Sequence, residues 1–228
     1  MKVDAMDEIE LVIFDVAGTT VKEQGQVAAA FMSALSERDI RVTPEQLNAV
    51  RGSSKREAVL RFIPETADRE KMAAQVYASF REHLARLYSA GGIEPVEGAE
   101  EVFRWLRGRG IGVALNTGFD RDITELLLAT LGWREGAVDA VVCGDDVRCG
   151  RPAPYLIFRA MEAAGATSPR RVVNVGDTVL DLQAGHNACA GWNVGVLSGA
   201  HGRQQLERAP HTHLIESVAS LRDLWPAG

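Results

Sequence analysis

Cysteine is scarce in this chain: the three among 228 residues, Cys143, Cys149 and Cys189, show no CxxC spacing. Their number and scatter do not suggest a disulfide framework or a zinc site, and a reduced, cytoplasmic setting is the simplest expectation. No motif makes Cys149 a nucleophile. No apolar run approaches the roughly 20 residues of a membrane-spanning helix. The acidic opening MKVDAMDEIE is read as lacking a secretory leader's apolar core. Positive charge is not in excess. Lys and Arg number 25 against 31 Asp and Glu, so there is no basic footprint for nucleic acid. Histidines are few and form no metal-ligand spacing; His201, His211 and His213 are expected at the surface, and His83 attaches to no site. Trp192 and Trp225 are expected to serve in packing.

What is present is ordinary globular composition, 46% hydrophobic and 25% charged, arranged with a clear alternation. Short apolar runs at 11–14, 111–115, 138–142, 171–175 and 192–197, with a weaker one at 212–215, read as strands. Helical patterns lie between them at 98–108, 121–131, 153–164 and 178–188, and 217–225 closes the chain. Strand alternating with helix predicts an α/β, doubly wound parallel sheet. One stretch breaks the rule. Residues 21–95 carry no convincing strand but four helical patterns, at 24–38, 44–50, 54–62 and 68–89. They are expected to form an α-helical cap inserted between 1–20 and 96–228 of the core. KEQGQ at 22–26 and GGIEPVEG at 91–98 are the expected hinges.

Each principal strand ends on a polar loop: Asp15 after the first, Thr117 and Gly118 after the second, Arg151 after the third, Asp177 and Asp181 after the fourth. In a parallel sheet these ends share one edge, where ligands bind. Clustered carboxylates repel unless a cation joins them. Asp15 and Asp177 are therefore expected to bind a hard divalent ion, Mg²⁺ above all, with Asp181 orienting its water shell. Thr117 suits a phosphoryl oxygen, or only a helix cap. Arg151 suits an oxyanion, or a surface ion pair. Asp15 would then attack phosphorus.

This set, with LVIFDVAGTTV, LNTG, GRPAP and GDTVLD in that order, resembles the haloacid dehalogenase superfamily over the whole chain. The resemblance implies a Rossmann-like core with a cap, a Mg²⁺ cofactor held by Asp15, the Ala17 carbonyl and Asp177, and an aspartyl-phosphate on Asp15. Two positions are unusual for its phosphatases. Ala17 stands where a general-acid Asp is usual, and Arg151 where Lys is usual. Both resemble the phosphonoacetaldehyde hydrolase (phosphonatase) branch, which cleaves a carbon–phosphorus bond through a lysine Schiff base. That branch implies a small phosphonate substrate, Lys55 as the Schiff-base amine, and homodimers paired through their caps. Lys55 could also grip an anion or be merely solvated. Around it the chain reads Arg51, Ser53 and Ser54 where the branch carries an apolar run, and Ala58 where it carries His. Arg51 suits a second anionic group on the substrate. The alternatives are a phosphate-ester hydrolase lacking the usual acid and a non-catalytic binding protein on the same fold.

Overall fold

The computed structural model describes residues 9–134 and 136–225; the acidic opening segment, residues 1–8, lies outside them. Six parallel strands form one sheet: β1 (Leu11–Asp15), β2 (Gly112–Asn116), β3 (Ala140–Val142), β4 (Val172–Gly176), β5 (Trp192–Val196) and β6 (His213–Ile215). Their order is β3-β2-β1-β4-β5-β6. The winding reverses between β1 and β4, which opens a crevice beyond the carboxyl ends of those two strands. Register carries the polar ends to one rim: Asp15 lies opposite Asn116 of β2, and Phe14 opposite Val175 of β4.

Both faces of β1 are buried, as its unbroken apolar run requires. Val12 and Phe14 join a core cluster with Val102, Phe103 and Leu106 of α5 (Ala99–Arg107). Leu11 and Ile13 point the other way, into a cluster with Leu156, Ile157 and Ala160 of α7 (Tyr155–Ala164). α6 (Arg121–Leu131) follows β2, and α8 (Val179–Asn187) follows β4.

Four helices separate β1 from α5: α1 (Gln26–Ser36), α2 (Pro44–Asn48), α3 (Lys55–Phe62) and α4 (Arg69–Ser89). Their apolar stripes meet, with the rings of Phe31 on α1 and Phe80 on α4 centred 4.3 Å apart. The outgoing and returning chains run side by side. Lys22 N–H donates to Glu94 O at 2.9 Å and Val96 N–H to Thr20 O at 2.8 Å.

The structure departs from the expected elements at their ends. Ile111 and Arg171 precede their strands: Ile111 N–H closes α5 on Leu106 O at 3.1 Å, and Arg171 belongs to a short 3-10 turn. The closing helix is a 3-10 helix, Val218–Leu224. A short α9 (Arg203–Leu206) was too brief for a periodicity to show. His201 is not a surface residue. It is buried, and its Nδ1 accepts the Val179 N–H at 3.0 Å. Trp192 stacks on Trp225 with ring centres 4.7 Å apart, and His83 pairs with Glu37 at 2.7 Å on the helical insert.

Candidate active site

Asp15 ends β1 because the strand cannot continue. Val16 O accepts the N–H groups of both Thr20 and Val21, and the Gly18 N–H turns back to Val21 O at 2.7 Å. Gly18 has φ +95°, a left-handed conformation that favours glycine, and a Cβ there would lie 2.3 Å from Asp177 Oδ2. A Cβ at Gly199 would lie 2.2 Å from the same oxygen. Asp177 is thus seated between two backbone turns that only glycine permits. Its Oδ1 accepts from Thr19 Oγ1 at 3.2 Å, and its Oδ2 accepts from the Ala200 N–H at 2.7 Å.

Arg151 is buried at the centre. Its NH1 contacts Asp15 Oδ1 at 2.8 Å, and its Nε contacts Asp181 Oδ1 at 2.9 Å. NH2 donates to Asn116 O at 3.1 Å and also to Asn116 Oδ1; NH1 reaches Gly52 O at 3.3 Å. The surface ion pair weighed for this residue is excluded. Arg151 orders the acids, and its planar fork serves five acceptors. Asp181 is brought in but is committed elsewhere. Its second oxygen accepts from Thr178 N–H at 3.0 Å and from Thr178 Oγ1, closing a capping box on α8. Both oxygens face Arg151 and Thr178, so Asp181 holds the guanidinium in place.

Burial dominates the electrostatics. It pushes the Asp15 carboxyl up to about 6, against the opposing pull of Arg151. Asp177 is pushed up further, by burial and by the Asp15 and Asp181 carboxylates. Among the described residues, no Lys or Arg forms an ion pair with Asp177. Two buried carboxylates in one crevice, one without a cationic partner, are a donor set that a divalent cation fits.

Lys55 opens α3, directly after Ser54, and with Asp15, Ala17, Thr117, Arg151 and Asp177 it lines a single cavity of about 60 Å³. Burial pushes its ammonium down while Asp15 pulls the other way. The ammonium lies 5.0 Å from the centre of the Phe119 ring and 3.3 Å from Ser53 O. Arg51 lines the same cavity but is paired with Glu23 at 3.3 Å. Thr117 is not a helix cap, since α6 is capped by Asp120, which accepts from the Ile123 N–H at 3.4 Å. Thr117 Oγ1 instead accepts the Phe119 N–H at 3.2 Å. Thr117 N–H goes to Val142 O, so of the amides of residues 117–119 that of Gly118 is the one without a protein acceptor among the described residues.

Cys149 is exposed and lies away from this cavity. The residues missed by sequence reasoning are Thr19, Glu23, Asn116, Phe119 and the Ala200 amide. The SGAHG segment after β5 was a legible clue to the last, a glycine-bearing loop at the same sheet edge.

The haloacid dehalogenase-like hydrolase profile matches residues 9–188. The chain belongs to this family. A phosphonoacetaldehyde hydrolase of Bacillus cereus is 32% identical over 233 residues, covering 95% of this chain and 88% of its own length. A second, from another strain of that species, is 30% identical over the same span. The chain therefore sits with the phosphonoacetaldehyde hydrolase-like branch of the family. In fold, it superposes on a phosphonoacetaldehyde hydrolase-like protein from Oleispira antarctica with a TM-score of 0.85 at 23% identity, covering 98% of this chain and 94% of that one. A hydrolase from Pseudomonas syringae gives 0.84 at 24% identity, covering 94% and 96%. Among the described residues no helix is long and apolar enough to cross a membrane.

Proposed function

We propose that this family member hydrolyses a small phosphonate aldehyde of the phosphonoacetaldehyde type, with residues 21–95 acting as the cap. The observation that carries this reading is Lys55: a lysine whose ammonium is held down by burial lines the same small cavity as Asp15 and Arg151. A lowered pKa raises the share of neutral amine, and a neutral amine is what condenses with an aldehyde. The Lys55 amine adds to the carbonyl and expels water, leaving an iminium. The Asp15 carboxylate attacks phosphorus, the carbon–phosphorus bond breaks, and its electron pair moves into the enamine. Water then releases phosphate from Asp15. The enamine takes a proton on carbon, and hydrolysis of the imine frees acetaldehyde and Lys55. No alcohol oxygen is protonated at any step, so Ala17, with no acid to offer, is consistent with carbon as the leaving atom.

Asp15, Asp177 and the Ala17 carbonyl would hold Mg²⁺. When bound, the ion offsets the charge of the two acids and of the phosphoryl oxygens. Arg151 keeps Asp15 aimed, and the Gly118 amide and Thr117 side the phosphoryl group. A cytoplasmic setting agrees with three free cysteines.

The test is turnover of phosphonoacetaldehyde beside a panel of phosphate esters, with and without chelator. Phosphate and acetaldehyde should appear in equal amounts, and EDTA should stop both until Mg²⁺ is restored. Equal or faster release from an ester would favour the phosphatase reading. Arg151→Lys should lower kcat by about 10- to 100-fold, because a single ammonium cannot serve five buried acceptors. Steady-state kinetics on the folded variant checks this, and unchanged kcat would show that the fork is dispensable.

A further inference from the structure

The insert approaches the core closely along 52–57. A Cβ at Gly52 would lie 2.3 Å from Thr178 Oγ1, one at Gly118 2.4 Å from Ser53 O, and one at Gly150 3.0 Å from Ser54 Cβ. At this seam Lys55 N–H donates to Gly118 O at 3.1 Å, and Arg151 reaches Gly52 O. The third tie is the one that a side chain of the insert supplies. Glu57 Oε1 accepts the Gly150 N–H at 3.1 Å. Glu57 lies two residues after Lys55 on α3, and Gly150 directly precedes Arg151. One hydrogen bond thus joins the segment presenting the amine to the segment presenting the guanidinium. Glu57 does not line the cavity that holds Lys55 and Asp15. It faces a separate polar cleft shared with Arg56, Arg81 and Arg148.

We infer that Glu57 is a positioning residue: by accepting the Gly150 N–H it locks the Arg151 loop against the Lys55 turn, so that both cations face the cavity lined by Asp15 in one arrangement. This rests on the proposed function for its kinetic consequence, but not for its structural one. Reacting groups held in alignment contribute to kcat more than to substrate binding. A carboxamide oxygen accepts the same N–H, so glutamine keeps the tie and alanine does not.

The experiment compares wild type, Glu57→Ala and Glu57→Gln in Mg²⁺ buffer with phosphonoacetaldehyde, alongside amide hydrogen exchange without substrate. Glu57→Ala should lower kcat by about 10-fold or more while KM changes less than about threefold, and Glu57→Gln should recover most of kcat. Exchange over 148–152 and 52–56 should quicken in the alanine variant alone, with β1 and β4 unaffected. A kcat for Glu57→Ala within twofold of wild type, an equally impaired glutamine variant, or unchanged exchange at 148–152 would each overturn the inference. If wild type releases no phosphate from phosphonoacetaldehyde, the proposed function fails, and the exchange comparison still decides whether Glu57 ties the loop.

Discussion

Lys55→Ala is expected to lower phosphate release from phosphonoacetaldehyde by about 10³-fold or more, on the order of 4 kcal/mol of barrier, because the electron sink for the departing carbon is lost. The decisive companion is Lys55→Arg. A guanidinium keeps the positive charge beside Asp15 but cannot form an imine. If Lys55 only gripped an anion, arginine would retain much of the activity; if it forms a Schiff base, arginine is as inactive as alanine. Borohydride added during turnover should leave a single alkyl adduct on Lys55 of the wild type and none on either variant, read by peptide mass. The pocket supports the chemical reading over the electrostatic one. Burial pushes the ammonium toward neutrality, whereas a residue whose task was to hold an anion would gain from staying charged. Phe119 beneath it and Ser53 O beside it fix the amine without supplying a carboxylate in salt-bridge contact.

Much of this arrangement was legible in the chain. The four polar loops could be assigned to one rim because strand runs alternate with helices, and parallel strands put their carboxyl ends together. β1 shows why that works: four apolar residues buried on both faces leave no position for Asp15 except the end. The helical insert was legible for the same reason in reverse, as a stretch with 3.6-residue spacing and no strand.

Partner choice was not legible. Periodicity places a residue on a loop but does not say which oxygen faces which nitrogen. Spacing puts Asp181 near the other acids but does not show that its carboxylate closes on Arg151 and Thr178. Arg51 suits a second anionic group by its place in the sequence, and nothing there shows that Glu23, 28 residues away, pairs with it. His201 looked like a surface residue because nothing local buries it. It is buried, and it satisfies the Val179 N–H of α8 at 3.0 Å. The contacts with Arg151, Glu23 and Val179 join segments distant in sequence, where neither spacing nor composition leaves a trace; the Thr178–Asp181 capping box, three residues apart, does leave one.

Asp15→Asn should abolish turnover, by about 10⁴-fold or more, on the order of 5 kcal/mol of barrier or beyond, and leave the fold intact. The amide matches the carboxylate in shape, and its oxygen can still accept from Arg151 NH1, which sits 2.8 Å from Asp15 Oδ1. Asp181, Asn116 and Gly52 continue to hold the guanidinium. Burial already disfavours a charge at position 15, so a neutral side chain there should unfold at the same temperature as wild type, or higher, when no divalent ion is present. Asp177→Asn separates the two duties of the acids. It should raise the Mg²⁺ concentration needed for half-maximal rate while leaving measurable turnover at high Mg²⁺, because the attacking oxygen remains. Phosphate release by Asp15→Asn within tenfold of wild type would mean that water, not this carboxylate, strikes phosphorus. The crevice between β1 and β4 would then be a binding site whose nucleophile comes from solvent, and an acid-stable quench would trap no phosphoryl group on the wild-type chain.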